Sequence, residues 1–316
     1  MIKIRFRNFP SDGAYLQFVE LVEISTNDEV IVIEDKKAVV DLEITGPYCN
    51  EPDKYSTPLM KRLKRGCYIL FTHGAHLSRR DLSTGIQPLK TAKKNIWYSG
   101  ENERPPQGIW DGYLAFDTNL PIDRSAYLPL WFITSTDLFK STKQTYWGNK
   151  VPSINQLLDG RNYKKSKKRF TSAFLGKNYS MRLHAIEILS KIGRVDVFGE
   201  SVRNKIHIPT LVAQKYRFVM CFENDIYPGY VTEKPFEAYL SGTIPLYYGH
   251  DVMNYLNPRA IINLLDFKSI VKWANYVDKV ENNENLYKKI YEQPLLIKKP
   301  SLDPVIKLIQ EVLCQK

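Results

Sequence analysis

Two basic side chains occupy helix positions where the backbone disfavours a cation. Lys234 lies in the first turn of the helix predicted after the turn signal Pro228-Gly229. Arg182 lies in the first turn of a second helix, predicted to begin at Ser180. The positive end of a helix dipole makes a cation there unfavourable by about 0.3–1 kcal/mol. Helix N-termini that carry an added arginine and lysine form a site for a phosphate or diphosphate, so the pattern indicates a bound anion.

Each cation taken alone has a simpler explanation. Arg182 could extend into solvent or pair with Glu187, and Lys234 could do the same with Glu233. We favour an anion because both helices follow strands of one predicted sheet and both begin with the disfavoured charge. A carboxylate at Glu233 would then suit the site, since acidic residues accept hydrogen bonds from ribose hydroxyls in dinucleotide sites.

Motifs that hold phosphates through fixed spacing are missing from the sequence. It contains no G-x-G-x-x-G, no G-x-x-x-x-G-K-[ST] and no two aspartates two positions apart. Paired aspartates are how many sugar-nucleotide enzymes hold a divalent metal against a diphosphate. His73 and His76 have no third ligand nearby in the sequence, so we predict no metal site.

The strands and helices that position Arg182 and Lys234 are predicted from short apolar runs that alternate with helical patterns. Buried strands are predicted at 39–45, 67–72, 95–100, 112–117, 170–176, 194–199, 218–224, 243–249 and 260–265. The pattern predicts an α/β fold of two Rossmann-like domains, whose open parallel sheets face a central cleft at the carboxyl ends of the strands. We expect domains at 1–158 and 171–316, joined by a basic connector at 159–170. Helices at 267–283 and 301–316 are expected to close the second domain.

Composition agrees with two domains and an anionic partner. The chain has 316 residues, 43% of them hydrophobic, and a net charge of +11. Nucleic acid, an anionic membrane surface or a phosphorylated substrate would each suit that charge. No nucleic-acid-binding module is recognised, so a basic nucleic-acid-binding protein is the disfavoured alternative. The four cysteines form no C-x-x-C pair. No export signal or membrane span is recognised in the sequence. We therefore expect a cytoplasmic location, and peripheral contact with a membrane stays open.

Three stretches resemble the α1,3/4-fucosyltransferases of glycosyltransferase family 10, most closely the bacterial type. Residues 216–249, with the elements C-F-E-N, G-Y-V-T-E-K and T-I-P-x-Y-x-G in order, resemble the family's donor-binding core. The segment YSGENERP at 98–105 resembles the acceptor-side segment of bacterial members. The segment SMRLHAIEIL at 180–189 matches the helix with the phosphate-binding arginine. Together the matches touch both halves of the chain.

The resemblance implies a GT-B type, inverting fucosyltransferase that uses GDP-fucose. Carried over by position, Arg182 and Lys234 bind the diphosphate, Glu233 binds the ribose, and Asn224 and Tyr230 line the donor pocket. We expect the two cationic side chains at a cleft surface, where alanine would abolish transfer and leave the fold intact. No cofactor is expected, although stimulation by Mn²⁺ through the product GDP stays open.

The resemblance also implies an oligosaccharide acceptor and a glutamate general base. We expect fucose on O3 of GlcNAc in N-acetyllactosamine-type chains; a GT-B transferase that uses another sugar nucleotide is the alternative. Glu101 and Glu103 follow the strand predicted at 95–100. Bacterial relatives favour Glu101 as the base, whereas the single glutamate of animal members would align with Glu103. The oligomeric state is not predicted.

Overall fold

The computed structural model describes residues 1–9, 15–47, 87–101, 110–134, 138–140, 148, 154–166, 168–176, 179–199, 202 and 209–314. The strand predicted at 67–72 and the candidate base Glu103 lie outside these residues. By its internal contacts, the chain divides into two compact units. Unit 1 is Met1–Leu128 with Asp303–Lys316, and unit 2 is Pro129–Leu302.

Unit 1 contains a parallel sheet of six strands. The strands are β1 (Ile2–Arg7), β2 (Val30–Val32), β3 (Val40–Thr45), β4 (Ala92–Ser99), β5 (Gly112–Ala115) and β6 (Ser125–Tyr127), in the order β2-β1-β3-β4-β5-β6. Helix α1 (Leu16–Thr26) follows β1. Alternating apolar residues of β3 are buried, and Glu43 between them is buried as well. Its carboxylate pairs with Arg5 at 2.8 Å and with Arg7 at 2.9 Å, so two arginines neutralise the buried charge of Glu43.

Unit 2 contains a parallel sheet of five strands. They are β7 (Arg169–Phe174), β8 (Val195–Phe198), β9 (Tyr216–Phe222), β10 (Ile244–Tyr248) and β11 (Ile262–Asn263), in the order β11-β10-β9-β7-β8. The helices are α2 (Leu130–Thr134), α3 (Ile154–Asp159), α4 (Ser180–Leu189), α5 (Pro209–Ala213), α6 (Lys234–Leu240), α7 (Ile270–Glu281) and α8 (Glu284–Tyr291), with a 3-10 turn at Leu264–Asp266. The two parallel sheets confirm the predicted α/β class.

The central strand of unit 2 is β9. All seven of its residues are buried, as a strand covered on both faces requires. Its apolar side chains pack with α4 through Ala185 and Leu189, and with α7 through Trp273. The backbone N–H of Glu223, just beyond β9, donates to the carbonyl of Tyr248 at 3.0 Å. The carboxyl ends of β9 and β10 therefore meet at one edge of the sheet.

The contacts place the unit boundaries differently from the sequence-based ones. Residues 1–158 are predicted as the first domain, but Trp131 stacks on Phe236 of α6, with ring centroids 4.4 Å apart. The last helix, α9 (Asp303–Cys314), is also predicted to close the second domain. This helix belongs to unit 1 instead, where Val312 and Leu308 lie against Gly112 of β5.

The basic stretch predicted as a connector is partly built into unit 2. The Arg161 guanidinium lies between the rings of Tyr239 and Tyr291, at 3.7 and 4.0 Å from their centroids. Its Nη1 donates to the carbonyls of Tyr239 and Thr243, the latter at 3.0 Å. A cation held by aromatic faces and backbone carbonyls is a structural element of the unit.

Gly199 and Gly176 offer a matched test of how closely β7 and β8 approach. Gly199 has φ +118°, and a Cβ there would lie 2.3 Å from the Leu175 carbonyl oxygen. A Cβ at Gly176 would meet nothing within 4 Å. We expect Gly199→Ala to lower the free energy of unfolding by at least about 2 kcal/mol, because positive φ and backbone overlap both penalise a side chain.

Urea unfolding of the two variants measures this difference. Gly176→Ala is the control and should change stability by less than about 1 kcal/mol. Equal stability of the two variants would contradict the described close approach.

Candidate functional site

A buried carboxylate organises the carboxyl end of β9. Glu223 follows the strand directly, and its side chain is 0% exposed. One carboxylate oxygen accepts the backbone N–H of Thr232 at 2.9 Å and the hydroxyl of Tyr247 at 3.3 Å. The other accepts the Thr232 hydroxyl at 2.8 Å and the Lys234 ammonium at 3.1 Å. Both oxygens are thus hydrogen-bonded and the charge is paired, as a buried carboxylate requires.

Lys234 is held in place by this carboxylate. Its side chain is 22% exposed, and its ammonium donates to the Thr232 hydroxyl at 2.9 Å as well as to Glu223. Burial alone would lower the pKa of Lys234, but the carboxylates of Glu223 and Glu233 outweigh it and raise that pKa. Lys234 is therefore a charged and oriented donor at neutral pH.

The structure changes the argument made from the sequence for Lys234. From the sequence, the expected partner of the lysine is an outside anion or Glu233. Its partner in the protein is Glu223, which precedes it by 11 residues. One sequence signal points to this pairing: Glu223 directly follows the apolar run of β9, and a carboxylate that is buried there needs a cation nearby.

Arg182 reaches the same strand end from α4. Its Nη2 donates to the carbonyl of Phe222 at 2.7 Å and to Oδ1 of Asn224 at 2.9 Å. The guanidinium carbon lies 4.9 Å from the ring centroid of Tyr179. Burial lowers the pKa of Arg182, while the charge of Glu223 acts in the opposite direction. Arg182 and its partner Asn224 thus converge with Lys234 on one sheet edge.

The two cations differ from the expected pair of cleft-surface side chains in how far they are exposed, since Arg182 is buried and Lys234 is partly exposed. Arg182 is only 5% exposed, and Lys234 neutralises a fully buried carboxylate. Substituting either residue therefore removes packing or leaves a buried group unpaired, which affects stability as well as binding.

Tyr230 and Glu233 belong to the segment between β9 and α6. Gly229, with φ +84°, lies in the predicted turn, and its N–H donates to the carbonyl of His250 at 2.9 Å. Tyr230 follows and is 1% exposed. Glu233 directly precedes α6 and is partly exposed. Both predicted residues are close in the chain to Lys234, and they contribute a buried ring and a partly exposed carboxylate.

In unit 1, Glu101 lies just beyond the carboxyl end of β4. It is partly exposed, and its backbone carbonyl accepts a hydrogen bond from the Ser99 hydroxyl at 2.6 Å. Burial raises the pKa of Tyr98, and the charge of Glu101 raises it further. Glu101 is thus placed at a strand end, as predicted. Its alternative, Glu103, lies outside the described residues.

Two further features concern metals and membranes. Within the described residues, no group of three or more His, Cys, Asp or Glu side chains could hold a metal ion. In the same part of the chain, no helix is long and apolar enough to cross a bilayer.

Parts of this chain are similar to known fucosyltransferases. Residues 163–295 match the family model described as glycosyltransferase family 10 (fucosyltransferase) C-term. The alpha-(1,3)-fucosyltransferase FucT of Helicobacter pylori is 28% identical over 232 residues, which are 64% of this chain and 47% of that protein. The 4-galactosyl-N-acetylglucosaminide 3-alpha-L-fucosyltransferase 9 of Mus musculus is 38% identical over 93 residues, which are 28% of this chain and 25% of that protein. The matched regions thus span about half or less of these relatives.

The fold is also that of a solved fucosyltransferase. The crystal structure of an alpha1,3-fucosyltransferase with GDP-fucose superposes with a TM-score of 0.67 at 22% identity. The superposition covers 99% of this chain and 90% of the other, so the fold comparison confirms the predicted GT-B class. The matched segment contains the five predicted donor-site residues, Arg182, Asn224, Tyr230, Glu233 and Lys234. The resemblance stated from the sequence is confirmed over residues 163–295, which match the model for the C-terminal part of glycosyltransferase family 10, the fucosyltransferases.

Proposed function

We propose that the protein is an inverting fucosyltransferase that transfers L-fucose from GDP-fucose to a hydroxyl of an oligosaccharide. The observation that carries the proposal is the convergence of Arg182 and Lys234 on the carboxyl end of β9. Ligands of open α/β sheets bind at this edge. The names of the relatives and the GDP-fucose in the similar crystal structure support the choice of donor.

Lys234 is suited to a diphosphate because its position is fixed before a ligand arrives. An ammonium has three N–H donors, and Lys234 uses two of them on Glu223 and Thr232. The third can meet a phosphate oxygen. A donor that is already oriented stabilises the departing GDP without reorganisation during the reaction.

The other donor-site residues have complementary roles. We assign Arg182 to the diphosphate, where its charge assists that of Lys234. Glu233 accepts hydrogen bonds from the ribose hydroxyls, as a partly exposed carboxylate beside Lys234 can. Asn224, which orients Arg182, and the buried ring of Tyr230 form walls of the donor pocket.

Transfer proceeds by a single displacement. The acceptor oxygen forms a bond to C1 of fucose while the bond from C1 to the GDP oxygen breaks, and the configuration inverts. Glu101 takes the proton of the acceptor hydroxyl, and the cations take the negative charge of GDP. We propose O3 of GlcNAc in N-acetyllactosamine-type chains as the acceptor oxygen, and a reaction that needs no metal ion.

Donor specificity tests the proposed function directly. We expect the purified chain, assayed in EDTA with an N-acetyllactosamine acceptor, to use GDP-fucose and not GDP-mannose or UDP-sugars. Lys234→Ala and Arg182→Ala should each weaken GDP binding roughly 10–100-fold, because each removes a charge-assisted contact. Calorimetry measures the affinity, and product analysis measures the linkage.

Matched controls separate binding from folding in this experiment. Lys191→Ala, which removes an exposed lysine that pairs with Glu187 at 3.8 Å, should bind GDP normally. Thermal unfolding identifies variants that have lost structure. Transfer from a UDP-sugar, an α1,2 or α1,6 product, or activity that requires added metal would contradict the corresponding part of the proposal.

The general base is tested by the two neighbouring glutamates. We expect Glu101→Gln to lower kcat by roughly 10²–10⁴, because proton removal from the acceptor is lost, while GDP binding stays normal. Glu103→Gln is the matched control and should lose much less. Steady-state kinetics with both substrates measure the effect. If Glu103→Gln loses kcat instead, Glu103 is the base; if both variants stay active, neither is.

A further inference from the structure

A basic pocket lies at the amino-terminal edge of the unit 2 sheet, where β7 and β9 begin. Its volume is about 480 Å³, and it is lined by Ser166, Lys168, Arg169, Gln214 and Lys215. Three of these five side chains are cationic and none is acidic. The backbone N–H of Arg169 donates to the carbonyl of Lys215 at 2.8 Å, which joins the two sides of the pocket.

The charge of Lys168 is not neutralised within the described residues. Its ammonium donates to the backbone carbonyl of Gly242 at 2.6 Å, and it forms no ion pair with a described carboxylate. Burial lowers the pKa of Lys168, and the nearby charges of Arg161 and Arg217 lower it further. Arg169, by contrast, pairs with Asp196 at 3.3 Å. Lys168 therefore lies beside other cations without a carboxylate in this part of the chain to offset it.

A smaller adjoining pocket contains an N–H donor that lacks an acceptor. Ser166 and Lys168 line it together with Arg217, Lys164 and the rings of Tyr163, Tyr287 and Tyr291. The Arg217 side chain is 10% exposed and pairs with Glu281 and Glu284. Its Nη2 is nevertheless buried without a hydrogen-bond partner among the residues that the structure describes. A buried N–H donor is costly when it lacks an acceptor, although this guanidinium also stacks on the Tyr287 ring at 3.8 Å from its centroid. The smaller pocket, with a volume of about 10 Å³, has no room for a phosphate, so Arg217 lies beside the basic pocket and is not part of its lining.

This pocket is separate from the donor site. Lys215 directly precedes β9, and Glu223 directly follows it. A strand of seven residues is about 23 Å long, so the two sites lie at opposite ends of one strand.

We infer that the basic pocket binds a phosphate-bearing anion. The cations supply the charge, and the Ser166 hydroxyl and Gln214 amide supply neutral donors beside them. The cationic head groups and neutral donors of the lining favour a small anionic group over an uncharged ligand. A free phosphate compound and a phospholipid headgroup share this chemistry.

Calorimetry with inorganic phosphate and pyrophosphate tests the inference, at constant ionic strength and with excess GDP present to occupy the donor site. Lys168→Met and Lys215→Met should each weaken binding of one of these anions about tenfold, because each removes a charged contact. Lys215 is exposed, so its variant should keep the fold even if Lys168→Met does not. Lys191→Met is the control and should bind normally. Phosphate and pyrophosphate binding that is absent, or unchanged in both pocket variants, would overturn the inference.

Vesicle sedimentation distinguishes the two sources of the phosphate. A lipid headgroup predicts that the chain sediments with phosphatidylglycerol vesicles but not with phosphatidylcholine vesicles, and that Lys215→Met releases it. A free phosphate compound predicts the calorimetric result without sedimentation. Sedimentation that neither pocket variant reduces would show that another surface binds the membrane and would count against this pocket.

Discussion

The buried carboxylate of Glu223 is the constraint on which the rest of the site depends. A fully buried charge is tolerated only when a cation and hydrogen-bond donors surround it, and removing one partner of such a pair costs about 3–5 kcal/mol. Thr232, Tyr247 and Lys234 meet that requirement. To do so, the chain must turn after β9 and bring the start of α6 back over the strand end. The path of this segment therefore follows from one charge.

We propose that the same arrangement serves binding. Lys234 is held by a carboxylate with little freedom to move, since Glu223 follows a strand buried along its whole length. Arg182 is fixed on the same strand end through Phe222 and Asn224. Two oriented cations at the carboxyl edge of a parallel sheet would suit the diphosphate that we propose binds there. The groups that stabilise the free protein are thus the ones that we propose stabilise the leaving group.

The positions of the strands and helices can be predicted from this sequence better than the contacts between them. Apolar runs locate β9 and β10 within about two residues, because a buried parallel strand needs continuous apolar residues. Cations in first helical turns identify Arg182 and Lys234, which the structure brings to one edge. The pairing of Glu223 with Lys234 is not predicted from the sequence, because the two residues are 11 positions apart and a turn separates them. The position of α9 in unit 1 is not predicted either. An amphipathic pattern shows that a helix has a buried face, but it does not show which sheet covers that face.

A double-mutant cycle on GDP affinity tests the coupling between Glu223 and Lys234 most directly. The four proteins are the unmodified chain, Glu223→Gln, Lys234→Met and the double variant, each checked by thermal unfolding. We predict that Glu223→Gln weakens GDP binding about tenfold in the unmodified chain but has little effect once Lys234 is Met, a coupling of about 1.4 kcal/mol. Equal or tighter GDP binding by Glu223→Gln, or strictly additive effects, would contradict the claim that this carboxylate positions the lysine.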